Sequence, residues 1–297
     1  MLTRFDHAVV AVRDLDAALS LWRGRLGFDP QPGGRHSGRG TQNGIVRFGL
    51  DYIELISIYD ADEVQTRGDP NALALAEQLA RSEGGLLGFA LASDDLAADA
   101  TRLRQAGVAV IGPAPMERLR PDGRTLRWRL AVPEGGSWGT PLPFFIQWDV
   151  ADAERLAWEP PGRHANGAQA VVALSLVVAD LEPWLSVYAN QVGLALVDRG
   201  PVADLAAVRA IFRVGRTAIE LLAPSGPGVI ADALAANGER PWQVTLGVHD
   251  LGAAAHLLAQ RGIELLRAPG TPSGLMIPPK SALDARLVLL EQPTVQC

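Results

Sequence analysis

Cysteine is almost absent from this chain of 297 residues: the only one is Cys297, at the last position. That excludes an internal disulfide framework and any cysteine-ligated metal cluster, and it fits a reducing compartment. Basic residues are outnumbered, 27 against 33 acidic ones, and the net charge of −6 argues against nucleic acid or an anionic membrane surface as partner. Long apolar runs are missing as well. The uncharged stretch around Ala168–Ala179 falls short of the roughly 20 residues that span a bilayer. The opening MLTRFDHAVV lacks the apolar core of a signal peptide. A cytoplasmic location without membrane contact is the expectation. The Gly-rich stretch Gly33–Gly44 is followed by neither GK[ST] nor a helix, so no phosphate loop and no nucleotide cofactor is expected. Nothing resembles a nucleophile elbow, and a lone terminal Cys297 is no credible nucleophile.

What the chain does contain, it contains twice. IVRFGLDYIELI at Ile45–Ile56 returns 166 residues later as IFRVGRTAIELL at Ile211–Leu222. The same ungapped shift carries Asp14 onto Asp180, Trp22 onto Tyr188, Gly27 onto Gly193 and Glu54 onto Glu220. Fixed-period self-similarity marks two copies of one design. Each copy divides again. Phe5–Val12, Leu86–Ser93, Val171–Val178 and Gln243–Asp250 all read as strands that lead through an Asp into a helix. In Asp14–Leu26 the positions Leu15, Ala18, Leu19, Trp22 and Leu26 form one apolar stripe. Asp14 is placed to cap that helix and Gly27 to end it. Short strand-like runs come after each helix, and two extra helices, Asn71–Arg81 and Gly228–Ala236, join the modules within each half.

The expected fold is α+β: four βαβββ modules in tandem, forming two paired-module domains whose mixed sheets make cups flanked by helices. The first domain takes 1–150, with modules at 3–60 and 86–150. Residues 151–167, including the Pro- and Gly-rich WEPPGRHANG, form the linker. The second takes 168–297, with modules at 168–224 and 241–292.

FDHAVVAVRDLDAA, the loop GGRHSGRGTQN, the strand YIELI and the run RTLRWRLAVP ending in PFFIQWD together resemble the vicinal-oxygen-chelate superfamily. Glyoxalase I, extradiol dioxygenases, epimerases and the antibiotic-binding resistance proteins belong to that superfamily. The first half is most similar to its glyoxalase-like domains. The resemblance is specific for fold and weak for reaction, because one fold hosts many chemistries.

In that superfamily each module of a pair gives one metal ligand from its first strand and one from its last. Carried over position by position, the first half offers His7, Glu54 and Gln147, with Gly88 leaving one side open for water or substrate. An isolated buried carboxylate is costly, and a single divalent ion (Zn, Ni, Mn, Co or Fe(II)) would offset that at Glu54. The bland alternative is a metal-free cup in which His7 and Glu54 pair with each other or with backbone. The second half offers only Glu220, Gln243 and Glu291, with Ala173 where a histidine would stand. That half then serves a hydrogen-bonded core or a homodimer surface.

Glu54, if it can detach, is the expected base, and His36 in the Gly-rich loop a candidate acid or substrate contact. Thr41 and Asn43 match polar positions of the resembled family; in Thr125–Leu130 either Trp128 faces the cup as an apolar wall or Arg127 and Arg129 do, to bind an anionic substrate. His164, His249 and His256 carry no assigned chemistry. The leading expectation is a metal-assisted lyase or isomerase of glyoxalase type on a small carbonyl or hydroxy compound. A metal-free ligand-sequestering protein is the alternative. An extradiol dioxygenase ranks lower, because only His36 could complete two histidines and a carboxylate around Fe(II).

Overall fold

A computed structural model describes residues 1–119 and 123–292 of the chain; Cys297 lies outside them. The first half runs β1 (Leu2–Val12), α1 (Leu15–Gly24), β2 (Gln31–His36), β3 (Thr41–Arg47), β4 (Tyr52–Ile58), α2 (Ala61–Arg67), α3 (Pro70–Arg81), β5 (Gly84–Ser93), α4 (Leu96–Gln105), β6 (Val110–Leu119), β7 (Thr125–Pro133), β8 (Phe144–Trp148) and α5 (Asp152–Trp158). The second runs β9 (Ala168–Val177), α6 (Leu181–Ser186), β10 (Ala195–Val202), β11 (Ala207–Val214), β12 (Thr217–Pro224), α7 (Val229–Asn237), β13 (Arg240–Val248), α8 (Leu251–Gln260), β14 (Leu266–Arg267), β15 (Leu275–Ile277) and β16 (Leu287–Glu291). No helix among the described residues is long and apolar enough to cross a membrane.

The strands form two eight-stranded mixed sheets of identical plan, β2-β3-β4-β1-β5-β8-β7-β6 and β10-β11-β12-β9-β13-β16-β15-β14. Each module is a first strand, a helix and a three-strand meander. In the second and fourth modules the last strand pairs parallel to the first: Ala90 faces Phe144 and Val244 faces Leu287. Thus βαβββ modules one and two share one sheet, and three and four the other. The opening strands of the meanders, β2, β6, β10 and β14, lack a clear apolar alternation. They lie at sheet edges, where one side of a strand goes unpaired and little hydrophobic patterning is required.

Each of the four helices that come after a first strand starts on an aspartate. Asp14, Asp95, Asp180 and Asp250 accept from the first-turn backbone N–H groups of Ala17, Ala98, Glu182 and Ala253. These side chains satisfy amides that no helix can satisfy internally. In the third module the helix is interrupted: α6 passes into a π-helical turn at Val187–Val192. There Tyr188, fully buried, stacks on Phe212 at 5.2 Å and donates its hydroxyl to the Pro141 carbonyl. Trp22, its counterpart, packs against Phe28 at 5.1 Å.

By packing, the chain divides into two compact units. One comprises Met1–His7, Gly88–Arg155 and Leu174–Trp242; the other comprises Ala8–Leu87, Leu156–Ala173 and the chain from Gln243. The core of the first includes Val177, Leu205, Ala207, Leu222 and Ile230. The second holds a smaller cluster of Ala268, Met276 and Val288. In the second unit the Pro- and Gly-rich stretch after α5 is firmly tied. His164 accepts the Asp29 N–H on Nδ1 and donates Nε2–H to the Arg47 carbonyl, each at 2.9 Å. Its ring lies against Phe28 and Phe48, Asn166 donates to the Leu26 carbonyl, and Glu159 pairs with Arg47 at 2.8 Å, both buried.

Two consequences are measurable. Asp14→Ala and Asp180→Ala should each lower the free energy of urea unfolding by about 1 kcal/mol, the usual worth of an N-cap. Burial pushes the His164 imidazole below its ordinary value, outweighing the upward pull of the Arg47 carbonyl and Asp29. The unfolded chain therefore takes the proton first, so this contribution is full above the unfolded value of 6.5 and is lost as pH falls below it. Urea midpoints measured from about pH 7 down to about pH 5 should fall more steeply in the wild type than in His164→Gln.

Candidate functional site

The meander β2-β3-β4 collects four of the candidate residues. At Gly44 an added Cβ would lie 2.6 Å from Leu19 of α1, so Gly44 lets the helix sit directly on β3. Side chains alternate along a strand. Gly44 faces Leu55 in the register, while Ile45 faces Glu54 and Asn43 faces Ile56. Asn43 and Glu54 therefore leave the sheet on the face away from α1. Asn43 Nδ2 donates to Glu54 Oε1 and lies 3.4 Å from His36 Nε2. His36 Nδ1 lies 2.9 Å from Thr41 Oγ1. With Nε2 facing an N–H donor, the ring proton belongs on Nδ1, an assignment read from the network. The four side chains form one chain of hydrogen bonds in which Thr41, Asn43 and Glu54 are buried.

Gly33 makes the geometry feasible. It is the extra residue of a bulge between Pro32 and Gly34. A Cβ there would stand 2.0 Å from Asn43 Oδ1. The glycine-rich loop thus makes room for the Asn43 amide.

The repeat supplies an internal comparison. Glu220 again faces an isoleucine, Ile211, across its hairpin. It accepts from Ser175 Oγ at 2.7 Å and pairs with Arg209 Nη1 at 3.3 Å. Arg209 stands 166 residues after Asn43. One carboxylate position is met by a neutral amide in the first copy and by a guanidinium in the second. The shift that revealed the repeat was enough to find Arg209; reading ligand positions alone missed it. Gln243 donates its amide N–H to Thr271 Oγ1 at 3.4 Å.

His7 lies in a cluster whose other members the sequence did not mark. His7 Nδ1 is 2.8 Å from Asp6 Oδ1. Asp6 also accepts from Arg4 Nη1 at 2.6 Å and from Trp148 Nε1 at 3.0 Å, and Arg155 Nη1 lies 3.6 Å away. Burial alone would push the Asp6 carboxyl up. The Arg4 and Arg155 guanidiniums and the His7 bond hold it well below the usual carboxylate range. The ionised Asp6 accepts from His7 Nδ1, which places a ring proton on that nitrogen. The His7 ring meets Phe144 edge-on at 5.2 Å.

Gln147 corrects an expectation. It accepts the Leu96 N–H at 3.0 Å and donates to the Asp94 carbonyl at 2.7 Å, spending both ends of its amide on the start of α4. It belongs to the opposite face of β8 from Phe144, against which His7 packs. Glu291 repeats the role, accepting the Leu251 N–H at the start of α8 at 3.0 Å. The last-strand position supplies a helix cap in both halves. The side expected to be open at Gly88 is also occupied: the Trp138 ring lies where a Cβ would come within 2.5 Å of it.

Of the expected ligands, Gln147 has its amide committed to the start of α4. No group of three or more His, Cys, Asp or Glu side chains suited to a metal occurs among the described residues.

Residues 5–192 match the family model for the glyoxalase-like domain, and residues 174–275 match that of the Glyoxalase/Bleomycin resistance protein/Dioxygenase superfamily. No curated protein matches the chain. A hypothetical protein from Staphylococcus aureus is similar in structure, with TM-score 0.69 and 16% identity over 98% of this chain and 100% of the other. So is a mutant 4-hydroxymandelate synthase from Streptomyces coelicolor, with TM-score 0.69 and 16% identity over 100% of this chain and 94% of the other. A methylmalonyl-CoA epimerase from Mycobacterium tuberculosis aligns with 43% of this chain and 91% of its own at 27% identity, with TM-score 0.40.

If Gln147 is a cap, Gln147→Ala should cost roughly 1–2 kcal/mol in urea unfolding, the net worth of two hydrogen bonds, and should leave ligand binding at the β2-β3-β4 site unchanged.

Proposed function

We propose, since the chain belongs to the glyoxalase-like domain family, that it is a glyoxalase-type lyase or isomerase. Its substrate is a small carbonyl or hydroxy compound, and Glu54 is the base. One observation carries this reading: the buried Glu54 ends a chain of neutral donors, Asn43, His36 and Thr41, while its repeat partner Glu220 is paired with Arg209. Of the two equivalent carboxylates, Glu54 is the one joined to the polar side chains of the β2-β3-β4 meander, and this supports it as the base.

In the proposed step Glu54 takes the proton from the carbon next to the carbonyl. The C–H electrons form a C=C bond and the carbonyl π electrons pass to its oxygen, giving an enediolate; transfer of the hydroxyl proton to that oxygen and return of the proton from Glu54 to the former carbonyl carbon complete the isomerisation of an α-hydroxy carbonyl compound. The step needs no oxidant or reductant. Asn43 holds the carboxylate oriented, and His36, with its proton on Nδ1, has an acceptor nitrogen beside the amide. A binding-only protein is the second reading, favoured by the Trp138 ring over Gly88.

Incubation in D2O with small α-hydroxy carbonyl compounds, followed by NMR, tests both. The expected result is deuterium at the carbon beside the carbonyl. The rate should fall at least about a hundredfold in Glu54→Gln, as loss of a general base demands, and hold in Glu220→Gln. Binding of these compounds without exchange in the wild type would replace the enzyme reading with the binding one.

A further inference from the structure

The β6-β7-β8 meander carries an aromatic row that proton transfer at Glu54 does not use. Met116 faces Trp128 across one strand pair, and Trp128 faces Trp148 across the next. All three are half-buried. The indole rings lie 5.3 Å apart, inclined by 41°. Trp148 is locked in place: the Arg155 guanidinium stands 3.6 Å from its ring centroid, and its Nε1–H bonds to Asp6. Arg155 and Asp6 are fully buried. A buried ion pair is weak evidence for stability. What this one achieves locally is a rigid indole beside a half-exposed Trp128.

We propose that this row is a binding subsite for the flat aromatic ring of a small-molecule ligand, stacked on Trp128. Offset stacking on an indole rewards a planar π-system over an aliphatic group of similar size, and the neighbouring Met116 thioether favours a ring edge. Because Trp148 is already immobile, little side-chain freedom remains to be lost on binding. Size selects the occupant. Three side chains can seat one ring system, while a stable protein interface needs about 800 Å² from each partner. The face continues along β8 to Phe144, against which the His7 ring packs.

Benzoylformate and pyruvate share an α-keto acid head and differ in the phenyl ring, so paired calorimetric titrations isolate the ring's contribution. Benzoylformate should bind at least about tenfold more tightly than pyruvate, a difference of about 1.4 kcal/mol. Trp128→Ala should abolish the preference and Trp128→Phe should retain most of it. Met116→Ala, a milder change, should weaken benzoylformate alone. Absence of the preference in the wild type, or its survival in Trp128→Ala, would overturn the proposal. So would an effect of Trp128→Ala confined to sedimentation behaviour, which would make the row a contact between copies. Binding is read without turnover, so failure of the exchange reaction and failure of this subsite are separate results.

Discussion

A β-strand presents successive side chains to opposite faces, and that alternation governs every candidate residue in this protein. Asn43, Ile45 and Glu54 share a face because the β3-β4 register pairs Ile45 with Glu54 and puts Gly44 under α1. Gln147 is lost to the site for the same reason: it lies one position from Trp148 and three from Phe144, and it points to the helix it caps. Position in the repeat does not determine role; parity in the strand, combined with what covers each face, does.

The repeated carboxylate shows how one buried charge can be met in two ways. Leaving it without donors would be costly. At Glu220 the cost is offset by Arg209 and Ser175. At Glu54 a neutral amide is used, and the amide is itself held between a histidine and a bulged glycine. Equivalent backbone thus carries different partners for the carboxylate in the two copies. A single substitution between Asn and Arg lies at the centre of the difference.

The Asp6 cluster places a second demand on the fold. Four groups, from Arg4, His7, Trp148 and Arg155, converge on one fully buried carboxylate. Such a network is strongly coupled in a low-dielectric surrounding, and its partners lose much if one is removed. It joins the start of β1 to the end of β8 and to α5. It also sets the His7 Nδ1 proton and the pose of Trp148 together.

The sequence by itself determined the module plan. Apolar periodicity, the four capping aspartates and the 166-residue repeat are local or repetitive signals, so the first strands, the helices and the equivalence of Glu54 with Glu220 could be read from them. His36, Thr41 and Asn43 were legible as polar residues in an unusual loop and strand. Only the tertiary structure decided that they join Glu54 in one chain, that Gln147 and Glu291 cap helices, and that Trp138 lies over Gly88. Asp6, Arg155 and Trp148 were invisible because their meaning rests on contacts between residues more than a hundred positions apart. Periodicity records which way a side chain points; it holds no record of which distant group meets it there.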